Sequence, residues 1–316
     1  MSATKILSAA LIVTAVCRSA SAGQPAKIPG VGPAGEVELV QDGFQFLEGP
    51  AWDGTGRLYF TDVAGNTLYK IERAAAGSRA APFLEKQGTL NGLMIDAAGT
   101  IFACAMEGRL TSIDPATKRL TVLAGEYEGK RFNAPNDLVI DQAGGVYFTD
   151  PHFRAPMPLP QGKTAVYYRN GEGKVSRLID DLAAPNGVIL SPDEKTLYVI
   201  PSLQKEMMAY PVESPGKLGE GRVFCTLKQR EGETGKGRGG DGLTIDTQGN
   251  LYIASQFGLE VFDKEGKALG VIEFPQQPSN ATFGGADGKT LYVTARTGLY
   301  RVQMEATGHR FPGGKQ

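Results

Sequence analysis

The chain has 316 residues, of which 41% are hydrophobic and 21% are charged, and its formal net charge is −1. Basic and acidic residues are nearly balanced and no basic stripe occurs, so the composition argues against a nucleic-acid partner. After the first 22 residues no apolar run is long enough for a membrane-spanning helix, so we expect no membrane partner for the mature protein.

The first predicted element is a secretory signal peptide over residues 1–22. One basic residue, Lys5, precedes an apolar run at 6–17, and the small residues Ala-Ser-Ala follow at 20–22. This is the layout of a cleavable signal, and its apolar run is too short to span a bilayer. We therefore expect cleavage after this site, a periplasmic or secreted protein, and one domain formed by residues 23–316.

Six copies of one unit follow along the chain. Each copy begins with a polar residue and continues with a short apolar strand, a turn, and a second strand rich in Leu, Tyr, Phe and Val. Most of the turns are rich in Asp and Gly. The six polar residues, which we call the starters, are Glu48, Asn91, Asn136, Asn186, Asp241 and Asn280. Successive starters are 39 to 55 residues apart, and the copies show no helical periodicity.

These repeats predict an all-β, six-bladed β-propeller with four antiparallel strands in each blade. Units of roughly 40–50 residues with four strands are typical of that fold, because one blade cannot bury both faces of its sheet alone. The segment GEVELVQ at 35–41 precedes the first copy and has no partner there. We expect it to close the ring as the outermost strand of the sixth blade. So regular a repeat disfavours the alternative of an all-β sandwich.

Two cysteines follow the signal segment, Cys104 and Cys225. An exported protein could pair them. Because they fall in different copies of the repeat, the sequence favours two free buried thiols.

The starters predict a cation site on the propeller axis. The first strand of each blade is innermost in a propeller, so equivalent residues meet at one mouth of the central channel. Three starters form Asn-Gly or Asp-Gly pairs, and such dipeptides taken alone are more typical of turns. Glu48 is not a turn former, however, and Asn136 is followed by Asp137. Carboxylate and amide oxygens without His or Cys favour Ca²⁺, and another divalent cation such as Zn²⁺, Mg²⁺ or Mn²⁺ is left open.

Four motifs in order make the chain resemble the family of gluconolactonase, regucalcin (senescence marker protein) and luciferin-regenerating enzyme. They are FLEGPAWD, PNDLVIDQAGGVYFTDP, PNGVILSPDEKTLYV and GGDGLTIDTQGNLYIAS, and the resemblance covers residues 43–302. It implies a six-bladed propeller that binds a divalent cation, commonly Ca²⁺, and hydrolyses lactones or related esters. By position it implies the cation ligands Glu48, Asn136, Asn186 and Asp241. It also implies substrate contacts from Arg131 and Asn133 in the RFN stretch.

The expected reaction is lactone hydrolysis in which the cation polarises the carbonyl and a carboxylate activates water. No G-x-S-x-G elbow occurs, and two histidines leave little room for a serine triad. Asp241 is the first choice for the general base and Asp137 the second, with direct attack by Asp241 as the rival scheme. His152, Asn91 and Asn280 are further candidates for substrate binding. His152 opens a proline-rich loop that is predicted to cover the mouth.

Two other functions stay open from the sequence alone. A propeller can bind a ligand without catalysis, with the cation as a structural plug. The same cation geometry would also suit a phosphotriester hydrolase. The residues leave the particular lactone and the oligomeric state unassigned.

Overall fold

The computed structural model describes residues 27–74, 77–233 and 237–311. The predicted signal peptide at 1–22 lies outside these ranges, so it stays a prediction. The described residues form 27 β-strands and no α-helix. Accordingly, this part of the chain offers no helix long and apolar enough to cross a membrane.

The strands form six antiparallel blades and one short hairpin. The first strand, β1 (Glu38–Gln41), belongs to the last blade. From the axis outward, blade 1 contains β2 (Leu47–Trp52), β3 (Leu58–Asp62), β4 (Thr67–Ile71) and β5 (Ala81–Glu85). Blade 2 contains β6 (Leu90–Ile95), β7 (Ile101–Ala105), β8 (Arg109–Ile113) and β9 (Leu120–Ala124). The hairpin consists of β10 (Glu126–Tyr127) and β11 (Lys130–Arg131).

The second half of the ring repeats this order. Blade 3 contains β12 (Leu138–Ile140), β13 (Val146–Asp150), β14 (Ala165–Arg169) and β15 (Val175–Ile179). Blade 4 contains β16 (Pro185–Leu190), β17 (Thr196–Pro201), β18 (Glu206–Ser214) with the short β19 (Lys217–Leu218) at its end, and β20 (Arg222–Thr226). Blade 5 contains β21 (Leu243–Ile245), β22 (Leu251–Ser255), β23 (Gly258–Phe262) and β24 (Ala268–Ile272). Blade 6 contains β25 (Asn280–Gly284), β26 (Thr290–Ala295) and β27 (Gly298–Gln303).

The two ends of the chain close the ring within blade 6. β1 pairs antiparallel with β27, with Glu38 opposite Arg301. The Arg301 Nη2 atom lies 2.6 Å from the Glu38 carboxylate. Pairing β1 covers the strand edge that β27 would otherwise expose. The six-bladed propeller and its closing strand are therefore confirmed, although the strand is shorter than the predicted segment.

The hydrophobic core lies between the blades. Each innermost strand contacts the innermost strands of both neighbouring blades. Apolar side chains of facing sheets form continuous clusters, as Leu68 and Leu93 do between blades 1 and 2. Burial of this surface from water is the main force that holds the blades together. Cys104 and Cys225 are buried in the same packing and are both free, which confirms that prediction.

Hydrogen bonds join the starter ends at every junction between blades. Going round the ring, they run from Thr61 Oγ1 to Asn91 O (3.0 Å), Gly92 N to Asn136 O (2.8 Å), Thr149 Oγ1 to Asn186 O (2.7 Å), Gly187 N to Asp241 O (3.2 Å), Gly242 N to Ser279 O (2.7 Å) and Ser279 Oγ to Leu47 O (2.5 Å). Because these bonds use the backbone of the starters or of their neighbours, the starters are held at fixed places around the axis.

Candidate active site

The structure brings five of the six starters to one cavity. Its volume is about 570 Å³, and its wall includes Glu48, Asn91, Asn136, Asn186 and Asp241. The sixth starter, Asn280, lines a separate cavity of about 660 Å³. The first cavity collects residues at the beginnings of the innermost strands, whereas the second collects residues farther along the same strands. The two cavities therefore lie at opposite ends of the central channel, and we call the first one the starter cavity.

Irregular strand pairing accompanies the starters of three blades. The register between the first and second strands shifts between Glu48 and Ala51, between Leu90 and Leu93, and between Pro185 and Val188. Such bulges re-aim a side chain that regular pairing would point elsewhere. The starters of blades 1, 2 and 4 thus reach the axis through a local departure from regular strand geometry.

The glycines that follow several starters serve close packing between blades. A Cβ atom added at Gly92 would lie 2.4 Å from Asp137 Oδ1, and one added at Gly242 would lie 2.1 Å from Asn280 Cγ. Neither glycine has the positive φ angle of a hairpin-turn glycine. The Asn-Gly and Asp-Gly pairs are therefore places where the next blade comes close to the strand, and they do not form the turns that such pairs usually indicate.

Two buried carboxyl groups meet in the starter cavity. Burial, followed by the charges of Asp241 and Asp137, holds the pKa of Glu48 well above its usual range. Burial also raises the pKa of Asp241 to about 6, although hydrogen bonds from Asn186 and Glu48 and the charge of Arg296 oppose the rise. Glu48 and Asp241 thus form one pair in direct contact, and a cation placed between them would relieve their repulsion.

Two asparagine side chains in the cavity, Asn186 and Asn136, have oxygen atoms available to a ligand near this pair. Asn186 Nδ2 donates to Asp241 Oδ1 at 2.7 Å and to Ser202 Oγ at 2.9 Å, which fixes the orientation of the amide and leaves its carbonyl oxygen for a ligand. Asn136 also lines the cavity, and the described residues provide no hydrogen-bond partner for its amide.

This donor set fits a hard divalent cation. Two carboxylates match its charge, and amide oxygens can complete the shell, as Ca²⁺ sites in proteins commonly require. Within the described ranges, no three His, Cys, Asp or Glu side chains group as a metal site. A cation here would therefore depend on the amide oxygens of Asn136 and Asn186 as much as on the carboxylates.

Asp137 and Asn280 lie where the two cavities approach each other. The Asn280 side chain hydrogen-bonds both Glu48 and Asp137, and the charge of Asp137 contributes to the raised pKa of Glu48. Asp137 and Asn280 both line the second cavity, and neither lines the starter cavity. Asp137 Oδ1 accepts a hydrogen bond from its neighbour Leu138 N at 2.9 Å. Burial raises the pKa of Asp137 to about 7, although hydrogen bonds from Leu138, Asn280 and Val188 oppose the rise. Asp137, the second candidate for the general base, thus lies outside the wall of the starter cavity, whereas Asp241 is part of that wall.

Three of the predicted substrate contacts lie outside the starter cavity as well. Asn133 is fully buried, and its Nδ2 donates to Lys163 O at 2.9 Å while its Oδ1 accepts from Gln161 N at 3.0 Å. The exposed Arg131 donates from Nε to Phe132 O at 3.2 Å. His152 packs against Phe153, with 4.8 Å between the ring centres. Of the predicted substrate residues, only Asn91 lines the cavity.

Sequence reasoning missed several residues that do line the starter cavity. Val63, Met106 and Ser202 each follow the end of the second strand of a blade. An antiparallel second strand returns the chain to the mouth from which the first strand started, and this signal was present in the repeats. Phe153 and Arg154 come from the loop at 151–163, which was predicted to cover the mouth. Arg154 Nη1 donates to Val63 O at 3.0 Å, so this loop reaches from blade 3 to blade 1.

Comparison with known proteins supports this architecture. Residues 46–297 match the SMP-30/Gluconolactonase/LRE-like region. The chain is 31% identical to a gluconolactonase from Zymomonas mobilis over 297 residues, which cover 86% of this chain and 82% of the relative. It is 28% identical to the lactonase drp35 from Staphylococcus aureus, covering 76% and 73% of the two chains. The solved structure of a gluconolactonase from Xanthomonas campestris superposes with a TM-score of 0.77 at 28% identity, covering 91% of this chain and 99% of that one. The chain therefore belongs to the SMP-30/gluconolactonase/LRE-like family.

Proposed function

We propose that this protein is an exported lactone hydrolase whose reaction takes place in the starter cavity with a divalent cation, Ca²⁺ in the first place. The observation that carries the proposal is the convergence of five starters, from five different blades, on one cavity. The relatives named gluconolactonase and lactonase support the reaction class. The proposed cation ligands are Glu48, Asn136, Asn186 and Asp241.

A bound cation would supply polarisation of the lactone carbonyl and stabilisation of the negative charge that develops on its oxygen. The chain's own residues prepare for that role. The Asn186 amide is held by Asp241 and Ser202, so it is oriented before substrate arrives. The Asn136 side chain has no protein partner among the described residues, so it is available to the cation.

Asp241 is the proposed general base. It accepts a proton from water while the water oxygen bonds to the carbonyl carbon, and the proton then passes to the ring oxygen as the ring C–O bond breaks. Beside a bound cation, Asp241 would stay ionised with a lowered pKa, so it would act as the base through direct contact with the attacking water. We prefer Asp241 to Asp137 because Asp241 lines the starter cavity, whereas Asp137 lines the second cavity.

The proposal is tested with purified mature protein, residues 23–316. Hydrolysis of a panel of γ- and δ-lactones is followed by acid release at constant pH, before and after treatment with a chelator. We expect activity to disappear on chelation and to return with Ca²⁺ or with one of Mg²⁺, Mn²⁺ and Zn²⁺. Full activity of the metal-free protein would refute the cation dependence. Turnover of a phosphotriester without any lactone hydrolysis would refute the lactonase assignment.

A further inference from the structure

The wall of the starter cavity is apolar on the side of blades 1 to 3. Val63 and Met106 are each 6% exposed and pack with the fully buried Ala134. The half-buried rings of Phe46 and Phe153 pack against this cluster, and both rings line the cavity. A bound molecule would therefore meet two aromatic rings and a thioether on one whole side.

The polar groups of the wall are largely committed to the protein itself. Ser202 Oγ donates to Gly240 O at 2.9 Å and accepts from Asn186 Nδ2 at 2.9 Å. Arg154 donates to Val63 O. Apart from the proposed cation ligands and Asn91, the described wall offers a sugar hydroxyl two exposed side chains, Gln45 and Arg154. The guanidinium of Arg154 keeps N–H donors beyond the one that binds Val63 O.

Asn133 and Arg131, which the sequence predicted to contact substrate, also make hydrogen bonds within the protein. The Asn133 amide is held by Lys163 and Gln161, and Arg131 donates to the backbone of Phe132. A sugar lactone has hydroxyl groups on most of its ring carbons, and every hydroxyl buried here without a partner would oppose binding.

We infer that this protein selects lactones with an alkyl or aryl substituent, or with a fused aromatic ring, over polyhydroxylated sugar lactones. The inference rests on the proposed function and names its substrate class. The lactone carbonyl would face Asp241, and the apolar substituent would pack against Phe46, Met106 and Phe153. A volume of about 570 Å³ leaves room for such a substituent, since small-molecule sites span about 300–1,000 Å³.

Arg154 is the positioning residue of this wall. Its backbone adopts a φ angle of +60°, a left-handed conformation that is unfavourable for a long side chain. The bond from its guanidinium to Val63 O ties the loop that carries Phe153 to blade 1. Phe153 is therefore held over the cavity by a contact that crosses the mouth.

The test compares kcat/KM for three lactones: a δ-lactone with a long alkyl chain, unsubstituted δ-valerolactone, and glucono-1,5-lactone, each corrected for spontaneous hydrolysis. We expect the alkyl lactone to exceed the sugar lactone by about 100-fold, the discrimination expected from one or two unpaired buried hydroxyls. Phe153→Ala should lower kcat/KM for the alkyl lactone about 10- to 100-fold and that for δ-valerolactone less than about threefold. Arg154→Ala should lower the alkyl preference in the same direction.

Phe274→Ala provides a matched control, because Phe274 packs against the core of blades 5 and 6 away from the starter cavity. It should leave the alkyl preference unchanged. Preference for glucono-1,5-lactone by the unaltered protein would overturn the inference and leave the proposed function intact. Hydrolysis of none of the three lactones would overturn both. Because the unaltered protein alone decides between these outcomes, the test stands even if a variant fails to fold.

Discussion

Two rings of oxygen-bearing side chains repeat through this molecule, one at each end of the central channel. One is the ring of starters. The other, which we call the turn ring, consists of one aspartate from each turn between the first and second strands. Four directly follow the first strand, Asp53, Asp96, Asp141 and Asp246, and two are the third residue of the turn, Asp193 and Asp287. Both rings repeat six times with similar residue types, yet the structure treats them differently.

The carboxylates of the turn ring accept hydrogen bonds from residues close to them in the chain. Asp246 Oδ1, for example, accepts from Gln248 N and Asn250 N at 2.9 Å each, and Asp96 Oδ1 accepts from Ala98 N and Thr100 N at 3.0 and 2.8 Å. In the starter ring five of the six residues line the starter cavity, and Glu48, Asn186 and Asp241 meet each other across blades. A repeated aspartate therefore does not by itself indicate a site, and what matters is whether nearby backbone N–H groups occupy its oxygens.

The largest expected effect contrasts the two ends of blade 5. Asp241→Asn removes the proposed base and should lower kcat about 100- to 10,000-fold, with a circular dichroism spectrum like that of the unaltered protein. Asp246→Asn makes the same chemical change at the turn ring. It should lower the free energy of unfolding by about 1–3 kcal/mol, because Asn250, Tyr252 and backbone donors bind Asp246. Its kcat should stay nearly unchanged, and a loss equal to that of Asp241→Asn would contradict the contrast.

Bound Ca²⁺ should stabilise the starter end to a degree that depends on pH. Burial raises the pKa of Glu48 and of Asp241, the latter to about 6. A raised carboxyl pKa stabilises the protonated folded protein, so without the cation this stability is present below the unfolded pKa and is lost as pH rises through about 6.

A cation binds the ionised carboxylates, so saturating Ca²⁺ should reverse that loss. Thermal unfolding in Ca²⁺ and in chelator, measured from pH 4.5 to 7.5, should give a gap in Tm that widens with pH. At 100 times the dissociation constant the stabilisation is about 2.7 kcal/mol. A gap that stays constant or narrows as pH rises would contradict the proposed ligands.

Asn133→Ala should affect stability and leave catalysis nearly unchanged. Its amide binds Lys163 and Gln161 and is fully buried, so the loss should lower the free energy of unfolding by about 1–3 kcal/mol. Urea unfolding and kcat/KM on the preferred lactone measure the two effects. A kcat/KM that falls more than tenfold while stability is retained would contradict this expectation and support substrate binding by Asn133.

The smallest effect is expected at the exposed part of the turn ring. Asp287 is exposed, and its Oδ1 accepts from Lys289 N at 3.0 Å. Asp287→Asn should change the free energy of unfolding by less than about 0.5 kcal/mol, as is usual for surface substitutions. Urea unfolding of Asp287→Asn and of Asp246→Asn would show how much larger the loss in the free energy of unfolding is at the buried position. Equal losses in the two variants would refute the expected effect of burial.

Much of the fold could be predicted because the repeats state it directly. Starters, strands and turns recur in one order, and the unpaired segment before Glu48 identifies the closing strand. The side of the channel that each polar residue faces was harder to predict. Asn136 and Asp137 are neighbours in the chain, yet they line different cavities. Successive side chains of an extended segment point in opposite directions, and only the placement of that segment on the axis decides which side is which.

By itself, the sequence determined the number of blades, their order and the residues that begin each innermost strand, because hydrophobic alternation and turn residues act locally. The tertiary structure decided which oxygens remain unpaired, that Glu48 meets Asp241 across almost two hundred residues of chain, and that apolar residues form one wall of the cavity. Those outcomes depend on hydrogen bonds and contacts between different blades. Such partners come together only when the ring closes, so no local pattern in the chain specifies them.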